Sequence, residues 1–363
     1  MEEDQSCPVL DPSGDLRLST NTQDFVVSSK VMCLASPVWR AMFDPQGHWA
    51  RHSSGVFSFP DDDSDALLII LQIAHLQFSD LPDALLIYEH LLQLAVLCDK
   101  YGGSWTLDVF TGLLADYRLT NRYNTVRLVR PWISKWQAPL QAQAEECSQG
   151  GGEGYEGYET WLFIAWTFGD EAGFRKISRS LVLTSTVTTV NGEKRIVNAQ
   201  GNMVGDIMPP GSAGAIVEAR SERISALLEM CYGLVDRYES TTLMAPEDTT
   251  ICTLRDQSPN ECDSLVYGCL IKGLQSLKLF PKRAEASEVE SSVMAFADKL
   301  RSLRCFEYPF PYNSHGYYNH NGISHSRCSF TLAFADQINA IIGQEEPSGV
   351  LEEHLTHLNE QKD

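Results

Sequence analysis

Between positions 14 and 103 the spacing of apolar residues changes period several times, and the order of those changes limits the fold more than any other feature. Asp15-Leu16-Arg17-Leu18 alternates polar and apolar residues as a half-buried strand does, and Phe25-Val26-Val27 offers a second short strand. Lys30 to Leu34 then reads as one helical turn. In Ser36-Pro37-Val38-Trp39-Arg40-Ala41-Met42-Phe43, Ser36 suits a helix cap and Pro37 the first helical position, where its missing N–H costs nothing. A polar loop over 44–55 leads to Val56-Phe57-Ser58-Phe59, an alternating third strand. Asp61-Asp62-Asp63-Ser64-Asp65 places negative charge at the positive end of a helix from Ala66 to His75. Ser79-Asp80-Leu81-Pro82 breaks the chain before a second helix, Leu86 to Lys100, which Gly102-Gly103 ends. In it Leu91, Leu94, Ala95 and Cys98 share one face. Two strands, a helical pair, a strand and a helical pair predict a compact α+β unit over 14–103, preceded by a loose leader at 1–13.

After residue 104 the pattern is mainly helical. Helices are expected over Leu107–Tyr117, Thr125–Leu140, Thr160–Phe168, Glu171–Arg179, Ala213–Tyr238, Ser264–Leu279, Ser287–Leu303 and Thr331–Ile342. The Gln-, Gly- and Glu-rich stretch 141–159 is expected to be a flexible surface loop. One hairpin interrupts the helices: Val187–Val190 and Lys194–Val197 flank Asn191-Gly192, a pair that accepts the positive φ angles of a tight turn. The expected organisation is therefore a helical region over 104–344 carrying one β-hairpin, followed by a polar tail at 345–363.

Charge narrows the function classes. Lysine and arginine number 28 against 48 aspartates and glutamates, a net charge of −20, which opposes binding to phosphate backbones and to anionic membrane surfaces. The longest apolar run, Ala66 to Leu76, is far short of the roughly 20 residues a bilayer requires. Met1-Glu2-Glu3-Asp4 is acidic where a secretory signal is basic, so an intracellular location, cytoplasm or nucleus, is expected. The ten cysteines are dispersed and form no Cys-x-x-Cys pair, which favours reduced thiols in the core over a disulfide framework.

The segments Gly14–Leu18, Asp24–Lys30, Leu34–Phe43, Phe57–Asp62 and Leu94–Tyr101, taken in order, resemble a BTB/POZ domain of the form common in filamentous-fungal proteins. Ser29 stands where the widespread form has His, and the spacing from Lys30 to Ser36 suits the fungal branch. Phe168-Gly169-Asp170-Glu171, Cys262–Gly268 and the late His-x-x-Cys are similar to the helical extension of such proteins. The resemblance implies protein–protein interaction without bond chemistry: self-association, or service as a substrate adaptor on a cullin-type ubiquitin ligase. A transcriptional co-regulator acting through protein partners is the further alternative. Dimerisation would involve the opening strand around Leu16–Leu18 and the first helices. The candidate surface residues are Leu16, Leu18, Val38, Trp39, Met42 and Phe43. The loop holding His48, Trp49 and Arg51 shows no hydrophobic-x-acidic ligase-contact pattern.

Other candidate sites carry less. Gly152-Glu153-Gly154-Tyr155-Glu156-Gly157 satisfies G-x-G-x-x-G, but no strand precedes it and its glutamates would repel phosphate, so no cofactor is expected there. No G-x-S-x-G, H-E-x-x-H or P-loop occurs, and no catalytic residue is assigned. Helix-start electrostatics accounts for Asp62 and Asp63. His315, His320, His325 and Cys328, with Cys305 upstream and Cys252, Cys262 and Cys269 earlier, form the nearest approach to a zinc set. Only His325 and Cys328 are closely paired, and Cys262 and Cys269 also suit one packed helix face, so buried thiols beside a polar loop, with no metal, are expected. His354 and His357 are expected on a solvated helix face.

Overall fold

The structure, a computed structural model, describes residues 7–43, 56–84, 87–102, 124–149, 159–190, 192–198, 201–204, 207–241, 250–252, 259–307 and 325–361. It is a mixed α+β protein, mostly helical, with two sheets of three strands. Two compact units form. The first takes Met1–Ile177, Ile207–Pro209 and Leu351–Asp363, and the second takes Ser178–Asp206 and Pro210–Val350. The expected helix over Leu107–Tyr117 and the Gly152–Gly157 motif lie outside the described residues, as do His48, Trp49, Arg51, His315 and His320.

In the first unit, strands β1 (Leu16–Ser19), β2 (Asp24–Val27) and β3 (Val56–Ser58) form a sheet in the order β2-β1-β3. β1 runs antiparallel to β2, with Leu18 opposite Phe25, and parallel to β3, with Leu18 opposite Phe57. Alternation sends Leu18, Phe25 and Val27 into the core, each fully buried. Between β2 and β3 the chain makes α1 (Ser29–Ala35) and α2 (Pro37–Phe43). Ser36 stops one helix and starts the other: its Oγ accepts the amides of Val38 at 3.2 Å and Trp39 at 3.4 Å, two donors the helix cannot satisfy itself. α3 (Ser64–Ala74) is capped by Asp63, whose carboxylate accepts the Ala66 amide at 2.9 Å. It presses Leu67, Ile70 and Leu71 into the core, each worth about 1.5–3 kcal/mol of burial.

The same unit continues through α4 (Tyr88–Gly102), α5 (Asn124–Gln149), α6 (Trp161–Phe168) and the first half of α7 (Glu171–Thr184). Trp136 on α5 is fully buried, and its indole N–H donates to the Pro82 carbonyl at 3.1 Å, so its polar edge is satisfied where its ring is packed. α5 runs on to Gln149, so residues 141–149 are helix rather than the expected loop. Gln141-Ala142-Gln143-Ala144-Glu145-Glu146 is built from good helix formers, and the glycines that suggested a loop begin only at Gly150.

The second unit opens with the hairpin of β4 (Thr186–Val190) and β5 (Glu193–Val197), paired from Thr186 opposite Val197 to Val190 opposite Glu193. Gly192 sits at φ 85°, the conformation expected of that position. β6 (Met203–Val204) pairs antiparallel with the other side of β5. α8 (Ser212–Glu239), α9 (Pro259–Ser276), α10 (Val293–Arg301) and α11 (Phe330–Gly343) surround a core that includes Leu227, Cys231, Val235, Leu274, Val293 and Ile338. α9 starts at Pro259, with proline in the helix's first turn, and α10 starts only after Ser292, which accepts the Ala295 amide at 3.1 Å.

α12 (Glu352–Glu360) returns to the first unit. Here the expected polar tail is corrected: His354 is 3% exposed, not solvated. Leu351, Leu355 and Leu358 recur at helical spacing and give the segment an apolar stripe, on which His354 meets the Phe174 ring edge-on at 5.2 Å. No helix among the described residues is long and apolar enough to cross a membrane.

Candidate functional site

The second unit brings together two pairs of side chains that are far from each other in sequence. Cys252 lies in the short stretch before α9, Cys262 in the first turns of α9, and His325 and Cys328 at the two ends of a 3-10 turn over His325–Cys328. Their donor atoms all lie within 4.8 Å of one another. Cys252 Sγ is 3.6 Å from Cys328 Sγ and 3.5 Å from His325 Nδ1, and Cys328 Sγ is 3.9 Å from that same nitrogen. Cys252, Cys262 and His325 are buried and Cys328 is half-buried. The expectation of buried thiols beside a polar loop does not include the gathering of these four donors at one point.

Local hydrogen bonding sets the cluster up. Asp263, next to Cys262, is buried, and its Oδ2 accepts the Ile251 amide at 2.7 Å, so a carboxylate on α9 holds the backbone that presents Cys252. Burial raises the Asp263 pKa, against the opposing pull of the Ile251 and Cys252 amides. Burial, and then the adjacent Cys252 and Cys328, push the Cys262 thiol well above its usual range. Burial and the Asp263 carboxylate push the Tyr238 hydroxyl up as well.

Cys269 and Cys305 are not part of this group. Cys269 Sγ accepts the Phe306 amide at 3.5 Å, away from the four donors. Cys98 and Cys231 are ordinary core thiols, buried among hydrocarbon, and burial pushes Cys231 up to about 12. The sequence names all four among its Cys/His candidates, but His325-x-x-Cys328 is the one close pair in that set. Its partners are 76 residues away in the case of Cys252 and Cys328, and only the tertiary fold supplies them.

The candidate surface residues divide by burial. Leu18, Trp39 and Phe43 belong to the interior of the first unit, where the Phe43 ring meets Phe57 edge-on at 4.7 Å. Leu16, Val38 and Met42 are half-buried. β1, which holds Leu16 and Leu18, is the central strand and has both edges paired. Well-exposed apolar side chains of this unit include Leu34 at the end of α1, 77% exposed, and Val56 on β3, 47% exposed.

A cleft of about 510 Å³ lies in the first unit between α5 and the α6–α7 junction. Its polar lining includes Arg130, Ser134, Asp170 and Lys176, and Asp170 already accepts the Gly173 amide at 2.9 Å at the start of α7. Among the described residues that line it, Ser134 is the one with a hydroxyl, and none is a histidine or cysteine. Comparison with known proteins finds no matching family model, no matching curated protein and no matching solved structure.

Proposed function

We propose that this is a non-enzymatic interaction protein whose N-terminal, BTB/POZ-like unit holds a second copy of the chain or another polypeptide. The reading rests on the resemblance of residues 14–103 and is supported by the element order β1-β2-α1-α2-β3-α3-α4, in which the five resembling segments fall in turn on β1, on β2 with the start of α1, on α2, on β3 and on α4. The observation that carries the docking role is the apolar strip on the helical pair. Leu34 is exposed at the end of α1, while Val38 and Met42, four residues apart on one face of α2, are only half-buried. Covering such a strip removes apolar surface from water, and the mechanism of the protein is that burial.

Light scattering on the full chain, combined with cross-linking, tests the proposal. The wild type is expected to exceed the mass of one chain, 40.5 kDa, or to cross-link to a defined partner through α1 and α2. Leu34→Asp with Met42→Asp is expected to abolish that association with the circular dichroism unchanged. A chain that stays single at every concentration, and whose cross-links ignore both substitutions, overturns it.

A further inference from the structure

The geometry points to a zinc site: we propose that Cys252, Cys262, His325 and Cys328 bind one Zn²⁺ in a closed, tetrahedral Cys₃His shell. The inference is independent of the docking role of the first unit, since all four residues belong to the second.

The distances decide it. Zinc bonds of about 2.3 Å to sulfur and about 2.0–2.1 Å to nitrogen, arranged tetrahedrally, separate neighbouring ligand atoms by roughly 3.5–3.8 Å. The separations of 3.5 and 3.6 Å fall in that range, 3.9 Å lies just beyond it, and all four donor atoms are within 4.8 Å of one another. A disulfide needs its sulfurs at about 2.05 Å, and none of Cys252, Cys262 and Cys328 is in one. Hydrogen bonding among three thiols and one imidazole is a weak reason for a fold to gather them, because a thiol is a poor donor and a poor acceptor.

The donor set also selects the ion. Three sulfurs and an imidazole are wrong for calcium or magnesium, which take oxygen, and right for zinc. With four protein ligands there is no open position for a water, so the ion is structural and not hydrolytic. Binding is balanced by proton release: each thiol gives its proton to solvent as its thiolate joins the metal, and the neutral imidazole gives none. Three thiolates and one Zn²⁺ leave the centre with one net negative charge. The Asp263–Ile251 bond then acts outside the shell, fixing the backbone that carries Cys252 relative to Cys262. The ion would tie the start of α9 to a turn just before α11.

Elemental analysis of the full chain, purified without chelator, is expected to find about one zinc per molecule. Cys252→Ser with Cys328→Ser should lose it, while Cys33→Ser, in the first unit, should keep it. Those ligand substitutions threaten folding, so the second measurement uses wild-type protein. Stripped of metal and titrated with Co²⁺, it should develop the intense visible bands of tetrahedral thiolate coordination, saturating at about one equivalent and bleached by Zn²⁺. Folded wild-type chain that binds neither ion, or a pale octahedral cobalt spectrum, would overturn the assignment.

Discussion

The imidazole of His357 lies flat on the indole of Trp166, ring centroids 4.0 Å apart and planes 9° from parallel. That contact, with Leu358 fully buried one residue on, makes α12 an integral part of the first unit's packing. Leu358→Ala is therefore expected to cost about 2–4 kcal/mol, the loss of a buried leucine plus the cavity it leaves. Leu332→Ala, where the side chain is 75% exposed, should stay within about 0.5 kcal/mol. Urea titration read by tryptophan fluorescence for the first variant and by circular dichroism for the second checks both. A near-neutral Leu358→Ala would mean that α12 is only loosely docked.

The first hundred residues were readable because their signals are local. An alternating run, a Ser-Pro start and an Asp-rich helix entry each act within a few positions, and β1, α2 and α3 appear where those signals stand. The closing segment was misread because its acidic and polar composition hid a stripe of three leucines. The sequence names Cys252, Cys262, His325 and Cys328 among eight Cys/His candidates but cannot sort them, since no local rule joins Cys252 to Cys328 across 76 residues. Arg220 and Arg223 left a signal that went unused. Both stand on the buried face of α8 formed by Ile216, Ala219, Ile224 and Leu227, where a charged residue demands a specific partner.

Arg220 finds its partners in the carbonyls of Val289 at 2.8 Å and Ser291 at 2.7 Å, and Arg223 finds its own at the end of α11. Arg223, 1% exposed, donates to the carbonyls of Ile341, of Gln344 at 2.8 Å and of Pro347 at 3.2 Å, while Arg179 reaches those of Ile342 at 3.1 Å and Gly343 at 3.2 Å. Terminal helix carbonyls lack N–H donors within the helix and carry its negative end, so a cationic donor there does two jobs. Burial, then the nearby Arg179, lowers the Arg223 pKa from its usual value. Arg223→Met, which fills similar volume, is expected to cost about 3 kcal/mol by stranding these carbonyls. Arg223→Lys should recover only part of that, because an ammonium cannot span them as a planar fork does. Denaturation followed by circular dichroism measures both, and equal stability of Met and Lys variants would refute the capping role.

Asp15 supplies a pH dependence with a definite sign. Its Oδ1 accepts the Ser29 amide at 2.7 Å and its Oδ2 the Ser29 hydroxyl at 2.6 Å, at the first residue of α1. Those bonds, the hydroxyl first, hold its pKa below the ordinary 3.8. A carboxyl depressed by folding stabilises the native state above its unfolded pKa, and the contribution disappears as the pH falls through the folded value. Asp15→Asn should thus lower the urea midpoint at pH 7 and converge with wild type at acid pH, below the folded value. A deficit that is the same at both ends of the titration would assign the effect to shape rather than charge.

The tryptophans offer a way to see the zinc act on one unit alone. All seven, Trp39, Trp49, Trp105, Trp132, Trp136, Trp161 and Trp166, precede the second unit, so indole fluorescence reports the first and helical circular dichroism reports both. A metal that binds the native state stabilises it by about 2.7 kcal/mol when its free concentration is 100 times the dissociation constant. Removing zinc with a chelator should therefore shift part of the circular dichroism transition to lower urea and leave the fluorescence midpoint in place. Restoring Zn²⁺ should bring the two together, and Mg²⁺ should not, because its preference is for oxygen. If the fluorescence midpoint moves with the dichroism, the ion's stabilisation reaches beyond the four ligands' own unit; if neither moves, the Cys₃His shell holds no metal that matters to folding.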